Sequence, residues 1–455
     1  MLRLFRHYVP ATLVGAVAAD AAVVGLSVWA AVSLGFWPGV GQVSLKAIVI
    51  AAGSVFILHL ANVYQVLQHG SRRDLVARLM PAVFAAAVVT AAVGFMIPAF
   101  RFGRAAFAVI FGLTILGLLA WRLAWMAFSH TERLRRRVLV LGLGAAKQLA
   151  DMQDTGSQPF SILGFLDDGP DAAHHVGGRF PLLGKSRDLL SLVEELQPDL
   201  ILVALTDMRR AFPADDLLEC RLRGLVVEDW PTFYEKQTGK VLVTNLRPSW
   251  LIFSDGFVKT HFTQATKRFA DVTLAALGLA LTLPFMALIA VAIKLDSRGP
   301  VLFRQRRVGQ NGRIFVLNKF RSMTVDAEKA GAVWATRNDP RVTRVGRWLR
   351  LTRLDEVPQF FNVLIGDMSF VGPRPERPEF VRALQQQIPF YMTRHAVKPG
   401  ITGWAQIRYR YAASFEDSLE KVQYDLYYIK NLSLLLDLLI IISTVQVVLF
   451  ARGSR

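Results

Sequence analysis

The chain has 455 residues, 53% of them hydrophobic, with a net charge of +18 and a mean hydropathy of +0.35. That apolar content excludes an ordinary soluble protein, and it directs the basic excess toward anionic lipid and phosphorylated substrates, with no nucleic acid partner. The single cysteine, Cys220, excludes an internal disulfide and a cysteine-rich metal site, so any metal must sit on oxygen or histidine ligands.

Four apolar stretches come first, at residues 9–37, 43–66, 79–100 and 105–128. Each is about long enough to cross a bilayer core. The first starts within ten residues of Met1 and lacks a clear cleavage site, so it reads as a retained anchor. Arg3 and Arg6 precede it, Arg72, Arg73 and Arg78 separate the second and third stretches, and Arg133, Arg135, Arg136 and Arg137 follow the fourth. The loop at 38–42 is uncharged, while Arg101 and Arg104 weaken the asymmetry at the other outer loop. The positive-inside rule then places Met1 and everything after His130 in the cytoplasm. Residues 1–130 are thus expected to form a four-helix transmembrane bundle. Within it, Asp20 and Arg122 are read as a structural ion pair ahead of a functional one.

Residues 131–257 are expected to form a cytoplasmic α/β domain. Val138-Leu139-Val140-Leu141-Gly142-Leu143-Gly144-Ala145-Ala146-Lys147 reads as a buried strand turning into a helix, with a dinucleotide-binding flavour. Lys147 stands where that fingerprint wants a small residue, and its bulk opposes close helix packing. A helix near Leu189–Leu196 and a strand at 199–204 support a sheet. The domain reads as degenerate Rossmann-like, a regulatory or dimerisation module in preference to a cofactor site.

Residues 258–455 hold the chemistry. Residues 269–295 form an apolar helix that Pro284 is expected to interrupt, since proline removes a backbone bond and clashes with the preceding turn. Lys267 and Arg268 precede it, and Lys294, Arg298, Arg304, Arg306 and Arg307 follow. With both flanks cationic the segment is predicted to re-enter the cytoplasm, Lys267 and Arg268 holding it against anionic headgroups and the Thr282 hydroxyl serving backbone freed at the bend. Residues 314–321 read as a strand that puts Lys319 and Arg321 on one face, either a diphosphate clamp or a solvated edge. Arg341, Arg344, Arg347, Arg350 and Arg353 then recur at every third position up to the adjacent carboxylates Asp355 and Glu356. Pro358 follows, so Asp355 is expected to cap a helix, where the amino end favours its ionised form and a nearby phosphate. Carboxylates among arginines suit phosphoryl chemistry with Mg2+, although an ordinary cap beside a solvated Glu fits the residue types as well. Residues 432–450 are apolar and either span the membrane or pack at its face.

Five motifs occur in one order: Lys319-Phe320-Arg321-Ser322-Met323, Leu354-Asp355-Glu356-Val357-Pro358-Gln359, Asn362-Val363-Leu364, Gly372-Pro373-Arg374-Pro375-Glu376 and Lys398-Pro399-Gly400-Ile401-Thr402-Gly403-Trp404. Together they resemble the bacterial sugar transferases, the monotopic polyprenyl-phosphate hexose-1-phosphate transferases, over roughly residues 262–455. The resemblance implies an α+β monotopic catalytic domain on a re-entrant helix, held on the cytoplasmic face of the inner membrane. It implies transfer of a hexose-1-phosphate from a UDP-sugar to undecaprenyl phosphate, releasing UMP, to start an exopolysaccharide or O-antigen unit. Asp355 would be the nucleophile, Glu356 the Mg2+ ligand, and Arg350 and Arg374 charge-stabilising groups near the phosphates. A homodimer is expected, and a fragment from His261 onward is expected to keep some transferase activity, at a risk to stability or dimerisation.

Two other readings fit the residues less well. A membrane-bound nucleotide-sugar dehydratase or epimerase needs Tyr-x-x-x-Lys, yet none of the nine tyrosines has Lys four residues on, and Tyr391 is followed by His395 instead. An inactive scaffold of a polysaccharide assembly complex is opposed by the intact Asp355 and Glu356.

Overall fold

The computed structural model describes residues 2–4, 7–36, 43–64, 72–97, 103–129, 135–154, 160–169, 180–205, 212–244, 248–257, 260–325, 327, 339–409 and 414–449. Arg6, Arg101, Arg133 and the uncharged loop at 38–42 lie outside them. The chain divides into two compact units, Val9–Phe233 and Met1–Tyr8 with Tyr234–Arg455.

In the first unit, runs of Ala, Val, Leu and Ile build α1 (Ala11–Ser33), α2 (Val43–Leu60), α3 (Arg72–Met96) and α4 (Arg104–Ser129). Helices α1, α3 and α4 are long and apolar enough to cross a membrane, and α2 is shorter. These make the chain a membrane-associated protein. Helix α3 starts seven residues before the apolar stretch does and passes through Pro81, because a helix extends by backbone bonding and does not stop where charge begins. The buried face of α1 carries Ala16, Asp20, Val24, Ser27, Val28 and Ala31, a stripe at helical spacing. Asp20 on that stripe pairs with Arg122, both fully buried, and accepts from Trp121 Nε1 at 2.9 Å. The Arg122 guanidinium also lies 5.1 Å from the Tyr64 ring centroid. A buried charge requires such a partner.

The same unit holds a five-stranded parallel sheet of β3 (Arg136–Leu141), β4 (Phe160–Leu166), β5 (Leu182–Gly184), β6 (Leu200–Val203) and β7 (Val226–Asp229), in the order β5-β4-β3-β6-β7. Helices α5 (Ala146–Asp154), α6 (Leu189–Leu196) and α7 (Ala214–Leu222) connect strands, and all four residues of β6 are buried, as a central parallel strand requires.

The second unit begins inside α8 (Trp230–Thr238), ahead of the expected division at 257. Val241 and Val243 join the core of Tyr427, Leu426, Leu436 and Ile440, and Glu235 is buried against Lys430 and Asn431. The hairpin of β1 (Leu2–Leu4) and β2 (His7–Val9) reaches this core too, through His7 Nδ1 at 2.9 Å from the Tyr427 hydroxyl and its ring edge against Trp404. After α9 (Pro248–Phe253) comes α10 (His261–Asp296), capped by Thr260, whose hydroxyl accepts from Thr263 N at 3.1 Å. It runs unbroken through Pro284, so the expected interruption is corrected. A proline deletes one backbone bond, and the apolar packing at both ends of this helix carries it through. The Thr282 hydroxyl serves Gly278 O at 2.6 Å, not the Ala280 carbonyl that lacks a partner at Pro284. Near one end Lys267 bonds Asp437 and Arg268 bonds the Val363 and Leu364 carbonyls, and further along Ala275 packs with Phe315, Leu317 and Val363; Ile289 and Ile293, near the other end, pack with Phe320 and Leu349. Both ends therefore lie on the same unit, while Leu281, Leu283, Phe285 and Leu288 are exposed between them.

The remainder comprises the antiparallel hairpin β8 (Leu302–Val308) and β9 (Ile314–Phe320), α11 (Arg344–Thr352), α12 (Gln359–Ile365), β10 (Ser369–Val371), α13 (Pro378–Gln387), β11 (Gly400–Thr402), α14 (Trp404–Arg408), α15 (Phe415–Lys430) and α16 (Leu434–Leu449). Strands β10 and β11 pair in parallel. Helix α16 buries Leu436, Asp437 and Ile440 against the unit and exposes Leu434 and Leu438.

Candidate active site

The site is built where the end of β9 meets α11. Thr343 caps α11, accepting from Gly346 N at 3.0 Å. A Cβ on Gly346 would stand 2.0 Å from the Ser322 carbonyl oxygen, so only glycine lets the helix lie on the chain leaving β9. That approach brings Arg350 Nε to 2.9 Å from Ser322 Oγ. Asp296, at the far end of α10, accepts from Val345 N at 3.0 Å and fixes the helix from the other side. Helix α11 then stops at Arg353, whose φ of 59° is left-handed and costs a non-glycine residue about 1 kcal/mol. A single tight turn, Leu354–Glu356, follows, and α12 begins only at Gln359 after Pro358. Asp355 is therefore not a helix cap, because the left-handed break at Arg353 inserts a turn before the helix can start. No side chain caps α12.

Asp355 and Glu356, both buried, border a cavity of about 1020 Å³. Eleven cationic side chains and three carboxylates (Asp355, Glu356 and Glu376) line it, so its field attracts anions. Glu356 Oε1 accepts from Lys319 Nζ and from Arg374 Nη2, both at 3.1 Å. Burial pushes Glu356 up, but these two cations outweigh it and hold the carboxyl well below the usual range. Asp355 goes the other way. Burial raises it, the charge on Glu356 adds to the rise, and Lys319, Arg353 and Arg350 oppose it. One turn of chain thus carries a firmly ionised carboxylate beside one held closer to its proton, an arrangement typical of chemistry more than of structure.

The cations around the pair are held by the fold. Arg374 follows β10, and its carbonyl accepts from Arg394 Nη2 at 3.1 Å. Arg394, itself buried, donates to Asp425 at 3.0 Å and to the Tyr391 hydroxyl at 3.0 Å. Arg321 lines the cavity with Lys319, but its guanidinium is held by backbone and Ser297. Its guanidinium donates to Ser297 O at 2.7 Å, Ser297 Oγ at 2.8 Å and Arg298 O at 3.0 Å, tying the end of α10. The ladder ends at Phe320, so strand alternation no longer governs the next residue. Lys267 and Arg268 likewise point inward. Lys267 pairs with Asp437 at 2.6 Å, and Arg268 donates to the Val363 and Leu364 carbonyls at 2.6 and 2.7 Å, satisfying the last turn of α12. Pro284 is exposed on α10 and does not border the cavity.

Residues 262–451 match the family model described as bacterial sugar transferase, and residues 59–211 match one described as a CoA-binding domain. Over 404 residues the chain is 34% identical to the undecaprenyl-phosphate glucose phosphotransferase of Komagataeibacter xylinus, covering 80% of this chain and 73% of that protein. The chain belongs to the bacterial sugar transferase family. This sugar transferase is also 45% identical over 239 residues to the UDP-N-acetylgalactosamine-undecaprenyl-phosphate N-acetylgalactosaminephosphotransferase of Aeromonas hydrophila, covering 52% of this chain and 56% of that protein. It is 50% identical over 181 residues to the UDP-glucose:undecaprenyl-phosphate glucose-1-phosphate transferase of Escherichia coli (strain K12), covering 39% of each. The match therefore spans little more than half of the Aeromonas relative and less than half of the Escherichia one.

The sugar transferase's parallel sheet does not fit a coenzyme A or dinucleotide phosphate at its glycine loop. Gly142, at φ 95°, packs so closely that a Cβ would stand 2.7 Å from the Leu205 backbone. The loop amides are already used: Gly142 N donates to Leu166 O, Gly144 N to Ala204 O, and Leu143 N to the Asp167 carboxylate at 3.1 Å. A phosphate in that cradle needs free N–H groups and no resident carboxylate. Lys147 is exposed and opposes no packing, so the reason the loop fails differs from the one its sequence suggested. Sequence reasoning also missed Ser322, Arg394, Ser418 and Lys421 at the cavity. Arg394 and Asp425 are 31 residues apart, and no local pattern links them.

Proposed function

We propose that the chain moves a hexose-1-phosphate from a UDP-sugar to undecaprenyl phosphate, releasing UMP. The observation that carries this is the Asp355–Glu356 pair, one carboxylate locked by Lys319 and Arg374, in a cation-lined cavity. An Asp355 oxygen attacks the sugar-bearing phosphorus, the P–O bond to UMP breaks, and UMP leaves with that electron pair. An undecaprenyl phosphate oxygen then attacks the same phosphorus, breaks the bond to Asp355 and forms the lipid-diphosphate sugar. Splitting the transfer in two means that the substrates need never meet. Arg350 and Arg374 offset charge on the phosphates. An ionised carboxylate beside phosphates suits Mg2+; among the described residues no three His, Cys, Asp or Glu cluster, and Glu356 with the substrate phosphates would hold the ion. An ion held there would supply charge screening for the diphosphate.

The membrane arrangement follows the same reading. Helix α10, with both ends on one unit and an exposed apolar middle, dips into the cytoplasmic leaflet of the inner membrane and returns, bringing the cavity to the lipid phosphate. Residues 1–130 form the transmembrane bundle, residues up to 257 include a Rossmann-like domain with regulatory or dimerising duty, and the protein is a homodimer that starts an exopolysaccharide or O-antigen unit. Strand order β5-β4-β3-β6-β7 supports the Rossmann-like reading.

Membranes containing the full chain, given radiolabelled UDP-sugars, should release UMP and make labelled lipid. Asp355→Asn should abolish both. Near-normal turnover by that variant, or kinetics that require both substrates bound together, would overturn the covalent scheme.

A further inference from the structure

Arg374 links two parts of the cavity wall. Its guanidinium holds Glu356, its carbonyl accepts from Arg394, and Arg394 holds Asp425, which lies four residues from the cavity-lining Lys421 on α15. Ser418, three residues before Lys421 on the same face of α15, and Phe380 and Leu384 of α13 line the same cavity. Most cations here are already engaged. Lys319 and Arg374 hold Glu356, Arg321 holds the backbone at 297–298, Arg341 holds Asp339, and Arg394 holds Asp425. Lys421 differs: its ammonium makes no hydrogen bond or ion pair with any described residue, although it is half-buried in the wall. A cation taken partly out of water with no hydrogen-bonding partner gains strongly from an incoming anion.

The geometry points to Lys421 as a positioning residue that grips the nucleotide-side phosphate of the donor, the one that leaves as UMP, with Phe380 and Leu384 against the face of the base. This rests on the reading of the reaction above. The sugar-bearing phosphorus must reach Asp355, so the second phosphate falls beyond Arg374, toward Lys421. Phe380 and Leu384 offer apolar surface that suits a base, whereas a hexose would need several neutral hydrogen-bonding groups. On α15 the wall offers only Ser418, whose hydroxyl already donates to Ser414 O at 3.0 Å.

The test is UMP binding to the detergent-solubilised full chain by calorimetry, separate from turnover. Lys421→Met should weaken UMP about tenfold or more, as loss of a charge-assisted hydrogen bond does. Lys421→Arg should recover most of the affinity, and glucose-1-phosphate binding should not change. Lys421→Gln gives the same comparison if the Met variant folds poorly. Equal UMP affinity in wild type and variants, or no UMP binding by the wild type, would overturn the assignment. Turnover with unaltered UMP binding in the variants leaves the reaction standing and removes Lys421. Lysine-dependent UMP binding without turnover does the reverse.

Discussion

Glu235 tests whether the transferase unit begins where the structure divides the chain. It is 1% exposed, accepts from Lys430 Nζ at 2.6 Å and from Asn431 Nδ2 at 2.9 Å, and lies 26 residues before the His261 start of α10. Glu235→Ala leaves the buried Lys430 ammonium, among the described residues, with the Trp250 ring, 3.9 Å from its centroid, to face. Breaking a buried pair from one side costs about 3–5 kcal/mol. For a unit of this size each kcal/mol moves Tm by about 2–4 °C, so the transferase-unit transition should fall by about 6–20 °C. The double variant Glu235→Leu with Lys430→Met removes both charges and should recover most of that loss. Calorimetry of the solubilised full chain reads both, with the affected transition assigned by limited proteolysis. A fall under about 2 °C, or no recovery in the double variant, would refute the reasoning. The same contacts bear on a fragment from His261. Such a fragment loses Glu235, the Gly239 carbonyl that accepts from Trp404 Nε1 at 2.8 Å, and the buried Val241 and Val243. It should be unstable, whereas a fragment from Trp230 keeps these partners.

Two further outcomes concern the carboxylates and the membrane helix. The ionised form of Asp355 is the nucleophile and its pKa is raised, so UMP release should fall as pH drops through a value above the ordinary aspartate pKa of about 3.9. Glu356→Gln removes the neighbouring charge and should move that acid limb of any residual activity downward; an unmoved limb would contradict the coupling. Glu356 itself has a depressed pKa, so its contribution to stability is present above the unfolded value of about 4.3 and is lost as pH falls through the folded one. Single cysteines at His261 and Arg298, in a Cys220→Ser background, should both react only with reagent reaching the cytoplasmic face. Both side chains are exposed at the ends of α10, and labelling of position 298 from the periplasm would mean that the helix crosses.

The apolar helices, the parallel sheet and the position of the carboxylate pair were legible because each is written over a short span. Apolar runs and buried strands are local, and Asp355 and Glu356 are adjacent. The motif order also pointed to the family, since five linked motifs carry more information than one. What the cations do was not legible. Lys267, Arg268, Lys319 and Arg321 all read as solvent- or substrate-facing, yet each is spent on a partner between 24 and 170 residues away. The chain's division at 233 and the docking of His7 on Tyr427 also depend on pairings across hundreds of residues. The left-handed turn at Arg353 escaped because arginine carries no signal for it. A charge pattern fixes how strongly a surface attracts phosphate, and only tertiary packing decides which of those charges remain available to bind it.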